Sequence, residues 1–220
     1  MDTAVRDQIH RILLIILFLV LISFRLIFFA QAGNYPGFAN YIDPDDQHYY
    51  HTTACSIAKG NLLGHKGSLI RAPGYVYFTG FLYLISGRTT KFALAVQSLL
   101  GVLTGLLVYL IGKTVFNRLT GLYAAFFYAF YLPVLCYESA LLMCSLITCL
   151  ISSGFFLFIK GQTERKNKFF FLSGLALGWA FICRPNNLIL AVILLIFIFR
   201  SKSRWFNSLN HLLFLLFCRY

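Results

Sequence analysis

The sequence predicts an all-α polytopic membrane protein of about six to seven transmembrane helices, with a long first external loop, residues 31–91, that carries amphipathic interfacial helices. Three observations lead there. Apolar residues make up 59% of the 220-residue chain, against roughly 45–50% in soluble proteins. Charged residues supply 12% and Phe alone occurs 24 times, which leaves too little polar side chain to cover a soluble surface. The charges fall in short clusters between long uncharged runs. Nineteen Lys and Arg against seven Asp and Glu give a formal charge of +12. Because these residues collect at the boundaries of apolar runs, they read as membrane topology signals and exclude a nucleic-acid-binding role.

A span needs about 20 mostly apolar residues to cross roughly 30 Å of hydrocarbon. Residues 12–30 qualify, with Arg25 as the single charge. Their length and the polytopic remainder favour an uncleaved span over a signal peptide, although Ala30-Gln31-Ala32 fits a small-x-small cleavage site. Residues 92–111, 119–137 and 139–159 qualify with no charge. Residues 169–183 and 188–199 form two shorter runs around Arg184-Pro185-Asn186-Asn187, read as a turn at the tip of a hairpin, and 209–217 is a last, incomplete run. The six cysteines show no Cys-x-x-Cys pair or Cys/His grouping and read as small buried hydrophobes.

Residues 74–87 are the ambiguous segment. Lys and Arg collect on the cytoplasmic side. If this segment stays outside and the N-terminus is cytoplasmic, eleven Lys and Arg lie inside and six outside; if it crosses, five lie inside and twelve outside. The first arrangement prevails. Residues 74–87, rich in Tyr and Phe, then become a helix at the outer interface. Asp2, Asp7 and Glu164 fall inside, while Asp43, Asp45, Asp46, Glu138, Arg184 and the whole of residues 33–73 fall outside. A connection that long between spans points to function.

On that outer face, Asp43-Pro44-Asp45-Asp46 reads as a helix start, with Asp43 as N-cap and Pro44 at the first helical position. Tyr49, Tyr50, Ala54, Ile57 and Ala58 recur at helical spacing and Gly60 ends the run, describing an amphipathic helix on the membrane surface. First-turn acids also have a purely structural use, stabilising the helix dipole by about 0.3–1 kcal/mol each. Glu138, just before the span starting at Ser139, has the same structural use, while the greater cost of an acid between two apolar spans sets a functional reading beside it. Arg184, and Arg71 before Ala72-Pro73-Gly74-Tyr75, have two readings: snorkelling to headgroups, or gripping a phosphate with paired hydrogen bonds.

The order of these features resembles the membrane glycosyltransferases that use polyprenyl-phosphate sugars, the family of the dolichyl-phosphate-mannose–protein mannosyltransferases and the lipid A aminoarabinose transferase. Asp46-Gln47-His48-Tyr49-Tyr50, with Ala54, Ile57, Ala58 and Gly60, resembles that family's first external loop. Arg71-Ala72-Pro73-Gly74-Tyr75 is similar to its Arg-Pro-Pro-Gly-Tyr stretch, and Tyr137-Glu138-Ser139 resembles the acid of its second external loop. Gly174-Leu175-Ala176-Leu177-Gly178 followed by Arg184-Pro185-Asn186 resembles a Gly-rich span ending in Thr-Arg-Pro. Two departures stand out: Gln47 occupies the place of a second acid, and the chain is shorter than such enzymes, so it reads as a single module, residues 1–220, truncated at its C-terminus.

The resemblance implies a GT-C-like fold in the plasma (inner) membrane, with the N-terminus cytoplasmic and the active face extracytoplasmic. It implies transfer of a sugar from a polyprenyl-phosphate donor to a hydroxyl of a glycolipid, polysaccharide or protein, with inversion. Asp46 is then the expected base, with Asp45 as fallback. Arg184 and Arg71 are expected to bind the lipid phosphate, and Glu138, Tyr49 and Tyr50 to line the substrate site. No dedicated metal set is visible in the sequence, and Glu138 alone leaves room for a divalent ion. The rival readings are a transporter or lipid flippase, which needs ionisable groups near mid-membrane, and a non-catalytic membrane fragment.

Overall fold

Long uncharged runs can satisfy their backbone in lipid only as helices, and the computed structural model, which describes residues 3–33, 46–64, 69–190, 192–193 and 196, contains no strand among them. The helices are α1 (Thr3–Gly33), α2 (Asp46–Ala58), α3 (Pro73–Ser86), α4 (Thr90–Val115), α5 (Arg118–Ala129), α6 (Leu132–Glu138), α7 (Cys144–Glu164) and α8 (Asn167–Cys183), followed by a 3-10 turn at Pro185–Asn187. The expected helix start at Asp43, Pro44 and Asp45 lies outside the described residues.

Helix α1 runs antiparallel to α4. Near its start, His10 Nε2 lies 2.8 Å from the Tyr109 hydroxyl and Asp7 pairs with Arg118. Farther along, Leu21 meets Gly105 and Arg25 meets Gly101. These two glycines form a small-xxx-small stripe that lets the helices approach closely. A Cβ on Gly105 would sit 2.7 Å from a Leu21 methyl. Helices α4 and α5 close still tighter, since a Cβ on Gly121 would fall 2.5 Å from the Tyr109 carbonyl oxygen. Asn117 starts α5 by accepting a hydrogen bond from the Thr120 amide at 2.9 Å.

The antiparallel pairing sets the start of α4 toward the end of α1, and α3 packs near it, its Gly74 against Cys183 of α8 and its Tyr75 hydroxyl bonded to Gln97 of α4. The sequence placed the apolar stripe of α2 on the membrane. Instead α2 buries Tyr50, Thr53, Ala54 and Ile57, largely against α3, where Gly80 leaves room for Ile57. Helix α3 buries Tyr75, Val76, Leu82 and Tyr83, and keeps Phe81, Leu84 and Ile85 exposed. The greasy outward face therefore belongs to α3. The reason is packing: a helix with two Tyr and three small or branched side chains on one face fills a protein groove better than it coats lipid.

Three of these helices are long and apolar enough to cross a membrane, in α1, α4 and α7, or four if α5 and α6 form one broken span. The expected span 119–137 is bent by 58° between α5 and α6, where Pro133 in the first turn of α6 cannot continue the preceding ladder. The expected start of the next span also moves: residues 139–143 form a turn and α7 begins at Cys144. Helix α8, with 17 residues, reaches only about 26 Å at roughly 1.5 Å each. The run 209–217 and half of 188–199 lie outside the described residues, which hold three or four helices long and apolar enough to span against the expected six to seven. Cys149 and Cys183 are buried, as small hydrophobes would be, Cys55 and Cys144 are half-buried, and Cys136 is exposed.

The alternation of direction sorts the charges. Asp7, Lys113, Arg118, Glu164, Arg165, Lys166 and Lys168 lie at one end of the bundle, at the start of α1 and the α4–α5 and α7–α8 connections. Asp46, Arg71, Glu138 and Arg184 lie toward the other.

Candidate functional site

Asp46 opens α2 with its side chain 50% exposed and ion-paired to Arg71, which is 39% exposed. The guanidinium of Arg71 also stacks over two aromatic faces, 5.3 Å from the Tyr49 ring centre and 5.9 Å from that of Tyr50. The Tyr49 hydroxyl accepts from the backbone amides of Ile70 and Arg71, at 3.1 and 3.2 Å, fixing where Arg71 leaves the chain. Tyr50 is buried edge-on against Tyr75, with ring centres 4.9 Å apart. Hydrogen bonding to Asp46 holds the Arg71 guanidinium above its usual value, and burial pushes the Tyr50 hydroxyl up. Both tyrosines named from sequence thus serve as the platform for Arg71.

The Pro-Gly-Tyr step after Arg71 has a steric explanation. A Cβ on Gly74 would lie 2.7 Å from both the amide nitrogen and the sulfur of Cys183. Only glycine lets the start of α3 press onto the end of α8, and this brings the Arg71 stretch to the helix end that carries Arg184. Arg184 is exposed and its backbone is extended, with its amide bonded to the Ala180 carbonyl at 3.0 Å. Asn187 turns back to the same carbonyl through its side chain, also at 3.0 Å.

Glu138 is placed differently. It closes α6 at 3% exposure, and its partner is Arg25 of α1, equally buried. Arg25 NH2 donates to Oε1 at 2.9 Å, and Nε lies 2.9 Å from Oε2. The guanidinium sits 5.4 Å from the Tyr128 ring centre, and Arg25 NH1 donates to the Leu21 carbonyl at 3.2 Å. Gly101 makes this arrangement sterically possible, since a Cβ there would fall 2.0 Å from Glu138 Oε1. Sequence reasoning singled out each charge and missed the pairing. The signal was present: two opposite charges in apolar runs are expected to seek each other, because either alone is costly in lipid.

A hydrogen-bond bracket joins the Glu138 turn to α2 and α3. Gln97 of α4, fully buried, donates to the carbonyls of Glu138 and Ala140, at 3.2 and 2.8 Å, and accepts from the Tyr75 hydroxyl. Gln47 accepts from the Leu141 amide at 3.1 Å. Gln47, which stands where the resemblance expects a second acid, is therefore a structural clamp. Asp46, the Glu138–Leu141 turn and Arg71 consequently share one end of the fold, which Arg184 joins through the Gly74–Cys183 contact.

Beside this site, His51 Nδ1 lies 2.8 Å from the Tyr83 hydroxyl and 3.4 Å from that of Thr90. Burial, and then His48, push the His51 pKa down, and burial raises the Tyr83 hydroxyl to about 12. Among the described residues no three His, Cys, Asp or Glu side chains gather as a metal site. Asp45 lies outside the described residues.

A family model described as dolichyl-phosphate-mannose-protein mannosyltransferase matches residues 70–218. Arg71, Glu138 and Arg184 fall within the matched segment, and Asp46 and Arg25 precede it. No curated protein and no solved structure matches the chain.

Proposed function

The chain belongs to the dolichyl-phosphate-mannose-protein mannosyltransferase family, a membrane glycosyltransferase family, and on that premise we propose that it transfers a sugar from a polyprenyl-phosphate donor to an acceptor hydroxyl, with Asp46 as base. One observation carries the reading: Asp46 is a half-exposed carboxylate whose partner, Arg71, is a phosphate-binding type of side chain, at the end of the fold that also presents Arg184.

The acceptor oxygen attacks the anomeric carbon as the bond from that carbon to the phosphate oxygen breaks. The electron pair leaves on the polyprenyl phosphate, and the hydroxyl proton passes to Asp46. Attack opposite the leaving group inverts the anomeric centre. A phosphate monoester is already a fair leaving group, so positive charge matters more than a strong acid. Arg71 and Arg184 supply that charge, and planar guanidinium groups suit phosphate oxygens. An arriving phosphate competes with Asp46 for Arg71, which frees the carboxylate for the acceptor proton. Tyr49 and Tyr50 keep Arg71 in place during the exchange. Glu138, held by Arg25, acts on the shape of the site through the turn that follows it.

The orientation in this reading is argued from the charges at the two ends of the bundle. The positive-inside tendency favours the cytoplasmic side for the basic connections α4–α5 and α7–α8, and this reading accordingly takes the N-terminus as cytoplasmic and Asp46 as facing out of the plasma membrane. The chain works in this reading as one module, with the outward apolar face of α3 shaping the groove for the polyprenyl tail. The acceptor is a glycolipid, polysaccharide or protein hydroxyl.

The test is sugar transfer by the reconstituted chain from polyprenyl-phosphate mannose to a lipid or peptide acceptor, with the product's anomeric configuration read by NMR. Loss of a general base costs about 10²- to 10⁴-fold, so Asp46→Asn should lower transfer by at least about a hundredfold while Asp46→Glu retains part of it. Full activity in Asp46→Asn, or retention of configuration, contradicts the proposal.

A further inference from the structure

The break between α5 and α6 lies against the first turns of α7, and a cavity of about 100 Å³ opens there, lined by Tyr128, Tyr137, Glu138, Cys144, Ser145 and Thr148, among others. Irregular backbone at membrane depth is tolerated where it is buried in protein or lines a cavity, so a broken helix and a cavity at one place explain each other. The lining is mostly apolar, with a few hydroxyl and carboxylate groups set among Val134 and the rings. Ser145 is 6% exposed, and its hydroxyl has no hydrogen-bond partner among the described residues. Glu138 Oε2 is within ion-pair distance of Arg25 yet receives no hydrogen bond. The Tyr128 hydroxyl reaches Glu138 Oε1 only at 3.5 Å. Thr148 donates to the Cys144 carbonyl at 2.5 Å, which leaves its oxygen free to accept.

A buried hydroxyl without a partner costs on the order of 1–3 kcal/mol, and a cavity of this size is several times what one water needs. The chemistry of the walls selects what fills it. Arg25 already neutralises Glu138, so the cavity offers no net charge to a cation or a phosphate. It offers instead an alternation of hydroxyl donors and acceptors with an aromatic ring, Tyr137, at its rim. That set matches a neutral polyhydroxyl group. Its position matches as well: Glu138 in the cavity wall begins the turn that Gln97 and Gln47 tie to the end of the fold carrying Asp46.

We propose that this cavity receives hydroxyl groups of the sugar carried by the lipid donor, with Ser145, Thr148 and Glu138 as its hydrogen-bonding partners, while Arg184 faces the phosphate. The assignment rests on the donor reading above and deepens it by giving the sugar's hydroxyls partners distinct from those of the phosphate and of the acceptor proton. It also gives Ser145 a purpose that packing does not: alanine would remove an unsatisfied hydroxyl, so Ser145→Ala folds at least as well as the native chain.

The experiment uses the full chain in nanodiscs and Cys144 as a reporter. Modification of Cys144 by methyl methanethiosulfonate is followed by peptide mass mapping with polyprenyl-phosphate mannose, polyprenyl-phosphate glucose, or unglycosylated polyprenyl phosphate present, and binding of each lipid is measured in parallel. The expected result is that a glycosylated lipid slows modification at least about fivefold and the bare phosphate does not. Ser145→Ala should weaken binding of that glycosylated lipid by about three- to tenfold, the loss of one hydrogen bond, and leave binding of the bare phosphate unchanged. Equal protection by glycosylated and bare lipid overturns the sugar assignment and makes this a phosphate or prenyl site. Donor binding and transfer with Cys144 unprotected overturns it too, placing the sugar elsewhere with the donor reading intact. Failure of every lipid to bind overturns both.

Discussion

Removing one member of the buried Arg25–Glu138 pair should be among the most damaging single changes available to this fold. Glu138→Gln keeps the side-chain volume and strands a guanidinium that is 3% exposed. Breaking a buried pair on one side costs about 3–5 kcal/mol, because the remaining charge is uncompensated. Arg25→Met strands the carboxylate to similar effect. The double replacement Arg25→Met/Glu138→Leu removes both charges together, and such exchanges are commonly neutral or stabilising by about 1–4 kcal/mol. The cycle should therefore show a coupling of several kcal/mol, and the double variant should be more stable than either single one. The assay is equilibrium unfolding in mixed micelles on titration with SDS, followed by helical circular dichroism. Single variants within about 0.5 kcal/mol of the native chain, an ordinary surface effect, would refute the reasoning, as would a double variant that sums the two losses.

Other consequences can be measured on the same preparation. Gly101→Ala drives a methyl group into the carboxylate of Glu138 and the guanidinium of Arg25, and should cost at least the roughly 1–3 kcal/mol of an overpacked core. Gly174→Ala meets nothing within 4 Å, and should be neutral or stabilise α8 by up to about 1 kcal/mol through helix propensity, read as a rise in the unfolding midpoint. His51 has its pKa lowered in the folded chain by burial, so the unfolded chain binds the proton first. Stability present above the unfolded value of about 6.5 should fall as pH drops through it toward the folded value, and then level off. Thermal unfolding from pH 8 to 5 should lose that acid limb in His51→Phe. Asp46→Ala breaks an exposed pair worth about 0–1 kcal/mol, so it should leave the unfolding midpoint nearly unchanged whatever it does to activity.

The parts of the fold visible in the sequence are those that composition alone dictates. The bodies of α1, α4 and α7 follow from apolar length, and the stop of α2 follows from Gly60. Partners are harder to read, because they depend on which faces meet. Arg25 and Glu138 lie 113 residues apart, and no local pattern joins them; only the cost of two lone charges in apolar runs hints at it. The apolar stripe of α2 was equally legible, but whether it covers lipid or protein depends on Gly80 of α3, which makes room for Ile57. Pro133 marked the break in the expected span 119–137, and uncharged length concealed it. For the site, residue identity carried the acids and arginines, while the Asp46–Arg71 pair, the Gln47 clamp and the hydroxyl cavity exist only once the helices have packed.

The measurement that bears most directly on the central claim is release of polyprenyl phosphate from a radiolabelled polyprenyl-phosphate sugar in proteoliposomes, with acceptor present, by the native chain and by Asp46→Asn at matched donor occupancy. If Asp46 takes the acceptor proton, the native chain releases the lipid in step with labelled product, and the variant, still folded and still binding donor, falls by at least about a hundredfold. Equal release by the two proteins would contradict the assignment of this end of the fold as the catalytic one.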